Sequence, residues 1–106
     1  MPDKLSEEEF RKHLGAKFRV RFEAEGAPEI DLLLEELTPF PMLKDSRGEV
    51  ERFSLYFKGP GDLFLQQGTY RLEREGMGEL DIFLVPVGRD ESGFRYEAVF
   101  NLFKNK

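Results

Sequence analysis

The stretch from Gly78 to Phe103, GELDIFLVPVGRDESGFRYEAVFNLF, constrains the fold more than any other part of the chain. From Gly93 onward, Phe94, Tyr96, Ala98, Phe100 and Leu102 fall on one parity, while Arg95, Glu97 and Asn101 fall on the other. Successive side chains of an extended chain point to opposite sides, so this alternation is the pattern of a strand buried on one face. The strand before it, Glu79 to Val87, puts Leu80, Ile82 and Leu84 on one face and the apolar Phe83 and Val85 on the other. Arg89 to Gly93 is a polar turn between the two. The hairpin therefore anchors a core, and it also asks what covers Phe83 and Val85: the N-terminal helix, or a partner chain.

The rest of the chain carries the same period. Lys17 to Ala24 alternates Phe18, Val20, Phe22 and Ala24 against Lys17, Arg19, Arg21 and Glu23. Gly26 and Pro28 break it, and Ile30, Leu32 and Leu34 then face inward. Arg52 to Lys58 directs Phe53, Leu55 and Phe57 inward, and Thr69 to Glu75 does so with Tyr70 and Leu72. Gly76 to Gly78 makes a short hairpin connection into the next strand. Two segments read as irregular. The first is Leu37 to Glu51, whose Pro39 and Pro41 argue against a central strand. The second is Gly59 to Gly68.

One short helix precedes the strands. Ser6 with Glu9 three residues on is a capping box, and Leu5 with Phe10 has the spacing of a hydrophobic staple. Glu7, Glu8 and Glu9 suit the positive end of the helix dipole, and Arg11, Lys12 and His13 suit the negative end. Gly15 stands where a left-handed cap residue belongs. A helix of about two turns needs docking to persist, and Phe10 and Leu14 are its expected docking face.

Together these elements predict a mainly β, α+β domain. About six antiparallel strands form a meander that closes into a small barrel or barrel-like sandwich, with one short N-terminal helix. The whole chain, 1–106, reads as one domain, with the helix over 6–14 and the β-domain over 17–103. Eleven phenylalanines and no tryptophan make ring volume a main source of core.

Composition excludes several function classes. With no cysteine, disulfides, thiol chemistry and cysteine-based zinc sites are out, which suits a reducing compartment. The net charge of −5 comes from intermixed charges without a basic block, so nucleic acid is not an expected partner. No apolar run is long enough to span a membrane, and the charged N-terminus lacks a signal-peptide core, so a cytoplasmic location is expected.

Reactive constellations are missing as well. His13 reads as a surface residue near the helix end. Ser46, Ser54 and Ser92 lack a nucleophile-elbow context. Asp45 to Glu49 has its glycine too early for a calcium loop, and Gly59-Pro60-Gly61 lacks the lysine and hydroxyl of a phosphate loop. No catalytic, cofactor-binding or metal-binding residue is expected, and Glu79 with Asp81 is the best available carboxylate pair for an enzyme.

Two apolar clusters stand out instead. Phe40, Met42 and Leu43 lie in the first irregular segment, and Leu63 and Phe64, with Leu65, lie in the second. They either complete the core or form a contact surface for a protein partner or for self-association. With Phe83 and Val85 they are the candidate contact residues. A gated apolar cavity binding a small molecule ranks lower, because the side chains of a six-stranded barrel fill its interior.

The segments FRKHLGAKFRV, RFSLYFKGP, QQGTYRLE, GELDIFLVPVG and FRYEAVFN resemble an uncharacterised family of small bacterial domains of unknown function. The resemblance runs from Phe10 to Asn101 and weakens between Pro41 and Glu51. It implies no activity and no site residue. It ranks a non-enzymatic structural or interaction role, as an accessory of a phage-tail-like or other bacterial assembly, ahead of an apolar-ligand barrel and of a carboxylate enzyme.

Overall fold

A computed structural model describes residues 6–23, 26–45 and 48–104, with backbone alone at 42, 43, 45, 103 and 104. The elements are α1 (Glu7–Arg11), β1 (Lys17–Arg21), β2 (Ile30–Asp45), β3 (Gly48–Gly59), β4 (Gly68–Arg74), β5 (Gly78–Asp90) and β6 (Gly93–Lys104). The six strands form one sheet that closes into a ring in the order β1-β2-β3-β6-β5-β4, and every pairing is antiparallel.

This order is not a single meander. β1-β2-β3 and β4-β5-β6 are each a meander, and they join edge to edge through β3–β6 and β1–β4. The chain leaves β3 at Gly59 and crosses the end of the ring before entering β4 at Gly68. The crossing is held from inside. Leu65 is buried, and its backbone N–H donates to the hydroxyl of the buried Tyr96 at 2.9 Å. Burial raises the Tyr96 pKa, against the opposing effect of that hydrogen bond. Tyr96→Phe keeps the ring and strands the Leu65 N–H. The expected loss is about 1–2 kcal/mol, the cost of an unsatisfied buried donor, read from the urea midpoint at unchanged slope.

Strand parity sets the core as the sequence predicts. Phe18, Val20, Ile30, Leu32, Leu34, Phe53, Leu55, Phe57, Leu72, Leu80, Ile82, Leu84, Tyr96 and Ala98 are all buried. Phe18 and Phe57 meet edge to face with centroids 5.5 Å apart. Phe94, Phe100 and Leu102 pack partly buried against this cluster, as does Tyr70, whose hydroxyl donates to the Gln66 carbonyl at 2.6 Å. β1 stops at Arg21, short of Ala24, which lies outside the described residues. Phe22 leaves the strand and meets the Tyr70 ring at 6.5 Å.

The segment Leu37 to Glu51 is a correction. It is not irregular: β2 runs through both prolines to Asp45, and β3 begins at Gly48. The rule against proline in a central strand still holds. β1 pairs with β2 only from Ile30 to Leu33, whereas β3 pairs with it from Leu33 to Asp45. Beyond Leu34, whose backbone still bonds to Gly15 and Ala16, β2 is an edge strand, where a missing N–H can face away from the sheet. Pro39 sits opposite Phe53, and Pro41 falls in the register shift between Phe40 and Leu43. Asp45 pairs with Gly48, and residues 46 and 47 lie outside the described residues. β5 likewise passes Pro86 beside a register shift, and the last hairpin turns over Glu91 and Ser92 alone, between paired Asp90 and Gly93.

Past the ring, β2, β3 and β6 continue as a three-stranded extension, which gives the molecule its long dimension of 47 × 28 × 23 Å. The helix closes the angle between extension and ring. The Ser6 hydroxyl accepts from the Glu9 N–H at 3.1 Å, and the Glu9 carboxylate takes Lys12 at 2.9 Å. Leu5 of the expected staple lies outside the described residues. The Glu7 N–H donates to the Glu51 carboxylate on β3 at 3.1 Å. Phe10 packs against Phe53 and Phe100 with centroids at 5.9 and 5.2 Å.

The helix is shorter than 6–14. It ends at Arg11, a turn follows, and Gly15 takes the left-handed conformation (φ +86) expected of it. Leu14 therefore leaves the helix face and is exposed, contrary to the docking role expected for it. His13 is also not a free surface residue. It is half-buried, its Nδ1 accepts from Arg74 Nε at 3.3 Å, and its ring stands edge-on to Phe18. Beside it Met77, at the tip of the β4–β5 hairpin, is buried in the core.

Candidate functional site: the outer sheet face

The helix docks on the inner side of the extension, through Phe53 and Phe100, and so does not cover Phe83 and Val85. Phe83 faces outward on β5, between buried Ile82 and Leu84, and is 50% exposed. Val85 is half-buried and Val87 is exposed. Phe83 and Val85 thus share the outward parity of β5, and the exposed Val87 follows them at the register shift between Pro86 and Gly88. The β5–β6 pairing begins at Val85↔Glu97. On the side where the strands part stands Val99, 58% exposed on β6. The last strand is therefore less one-sided than its polar residues Arg95, Glu97 and Asn101 suggest.

The register aligns outward residues across the sheet. Thr38, Ser54 and Val99 form one row; Glu36, Tyr56, Glu97 and Val85 form the next. The Glu97 carboxylate accepts from Ser54 Oγ at 2.8 Å and Tyr56 Oη at 3.1 Å. Burial, followed by the Glu97 contact, holds the Tyr56 phenol above its ordinary pKa. The Arg95 guanidinium lies over the Tyr56 ring at 4.2 Å and pairs with Glu35 at 3.0 Å and with Glu36. The result is a hydrogen-bonded polar strip on the same outer face as the apolar Phe83, Val85, Val87 and Val99.

The two expected clusters do not come together. Phe40 pairs opposite Arg52, whose guanidinium covers its ring at 5.7 Å. Phe64 follows the other end of β3 and packs on Phe94 at 5.1 Å. Seven residue steps along β3 lead from Arg52 to Gly59, about 23 Å at the rise of an extended strand. Both phenylalanines stay partly exposed, while Leu65 is buried and Leu63 packs half-buried on the core. The side chains of Met42 and Leu43 lie outside the described residues.

Glu79 and Asp81 are exposed beside Arg21, Phe22, Thr69 and Tyr70 in an open depression, and Asp81 pairs with Arg71 at 3.2 Å. Asp90 is held below the usual carboxylate range, first by its hydrogen bond with Lys58 and then by Ser92, an arrangement that ties the β5–β6 tip to the end of β3. Among the described residues no three His, Asp or Glu side chains are grouped to hold a metal ion. Among them, too, no helix is long and apolar enough to cross a membrane.

Residues 5–100 match the family model described as Domain of unknown function (DUF6916), and the chain belongs to that family. No curated protein and no solved structure matches the chain.

Proposed function

We propose that this member of the DUF6916 family is a non-enzymatic protein-interaction domain that docks a protein partner on the outer face of β5. The observation that carries this reading is Phe83 and Val85 on one outward face, followed by the exposed Val87 at the register shift, with Phe83 half-exposed and no part of the described chain laid over it. Large apolar side chains exposed in sequence on a rigid strand favour burial by another surface. Tyr56 and Arg95, held in place by Glu97, Glu35 and Glu36, supply next to it the residue types that dominate interface energetics. An accessory role in a bacterial, phage-tail-like assembly, in the cytoplasm, is the setting that the family resemblance and the cysteine-free composition favour.

The test is co-purification from the native host at native expression, comparing wild type, Phe83→Thr and Phe64→Ser. Threonine keeps strand propensity, and an exposed position tolerates the change within about 0.5 kcal/mol. Wild type and Phe64→Ser should retain the same stoichiometric partner, and Phe83→Thr should lose it at least tenfold with an unchanged thermal midpoint. Equal retention by Phe83→Thr would overturn the reading.

A further inference from the structure

The two open edges of the extension are built differently. The β2 edge carries Pro39, Pro41 and the register shift between Phe40 and Leu43. Prolines and bulges are the ordinary devices that stop another strand from adding to an edge. The β6 edge has neither. β6 pairs with β3 in an unbroken register from Glu49↔Lys104 to Gly59↔Phe94, and β5 leaves it after Val85↔Glu97. From Ala98 to Lys104, β3 is its one strand neighbour among the described residues, so alternate backbone N–H and C=O groups face outward along that stretch. The stretch contains no proline or glycine, and its one charged residue is Lys104.

From this edge we infer that two copies of the chain pair through β6, antiparallel about a twofold axis at Asn101, so that the two extensions become one continuous sheet. The backbone points to the kind of occupant, since the protein element that matches a row of alternating donors and acceptors is an added strand. The sequence of the edge favours a second copy. A twofold interface must be self-complementary. Pairing about Asn101 sets position 99 against 103 and 100 against 102, apolar residue types on both faces. It sets Asn101 against itself and Lys104 against Ala98, so no like charges meet. A contact of this length falls below the roughly 1,200 Å² of a standard stable interface. The dimer is therefore concentration-dependent. The inference rests on the β6 backbone and is independent of the partner surface at Phe83.

The absence of cysteine from the chain makes the test clean. Across an antiparallel pair the two Cα atoms at position 101 would lie about 4.5–5.5 Å apart, within the range of about 4.4–6.8 Å that a disulfide spans. Under mild oxidation Asn101→Cys should form a cross-linked dimer at least tenfold faster than Thr69→Cys, an exposed control on β4. Light scattering from low micromolar to millimolar protein should show wild type rising from 12.4 kDa toward twice that mass. Asn101→Lys, which sets like charges on the axis, should stay monomeric at every concentration with unchanged circular dichroism. Equal cross-linking rates at 101 and 69, or a wild type that stays monomeric throughout, would overturn the inference. Partner binding that persists in Asn101→Lys would leave the reading at Phe83 standing.

Discussion

Gly93→Ala is expected to destabilise the protein by about 4 kcal/mol or more, the range reserved for backbone collisions and broken cores. Gly93 sits at the first position of β6 with φ +138, a conformation that side chains avoid. A Cβ there would overlap the Gly59 carbonyl oxygen and crowd the Gly61 nitrogen, both backbone atoms. Gly59 is itself buried, and so closely packed that a Cβ on it would overlap Leu32 and crowd the Tyr96 ring, which leaves its carbonyl little room to move aside. The whole stability of a domain this size is about 5–15 kcal/mol, so the variant should be largely unfolded or insoluble on expression. Gly88→Ala is the control. It too lies near the β5–β6 end, but a Cβ there meets nothing within 4 Å. It should retain the wild-type urea midpoint closely. A soluble Gly93→Ala protein with a near-native midpoint would mean that β3 and β6 do not approach as described.

Phe10→Ala should cost about 3–5 kcal/mol, the range for removing a buried ring. Phe10 is fully buried against the pair Phe53 and Phe100, which stack on each other at 5.1 Å. It is also what holds a five-residue helix in place, and so short a helix has little stability of its own. Losing the ring should undock the helix and open the inner side of the extension. The urea midpoint should fall sharply, and amides of Phe53 and Phe100 should exchange faster than those of Ile82 and Leu84, which face the ring interior. A loss near 1 kcal/mol, with exchange unchanged, would show that the helix is peripheral.

The strand parities were legible because each strand carries its own alternation: Phe53, Leu55 and Phe57, or Leu80, Ile82 and Leu84, need no knowledge of neighbours. The extended path of β2 through Pro39 and Pro41 was not. Whether a proline is tolerated depends on which side of the strand lacks a partner, and β1 ends its pairing at Leu33 for reasons distant in sequence. The joining of two meanders was hidden for the same reason, since pairing of β3 with β6 links Tyr56 to Glu97. Leu14 failed as a docking residue because the helix stops one turn early, at Arg11.

The candidate surface was half legible. The outward parity of Phe83 and Val85 in a strand apolar on both faces was visible in the sequence, and their exposure follows from where the helix goes. The same parity, applied one residue at a time, points to Val87 and Val99. The Ser54–Tyr56–Glu97–Arg95 arrangement could not be read, because its members come together only through cross-strand register.

The most direct measurement is photo-cross-linking in the native host, with a benzoyl-phenylalanine placed at position 83 and, separately, at position 71 on β4. If the outer face of β5 is the contact surface, position 83 yields one discrete protein adduct and position 71, occupied by the exposed Arg71, yields none. Adducts of equal intensity and identity at both positions, or none at position 83, would contradict it.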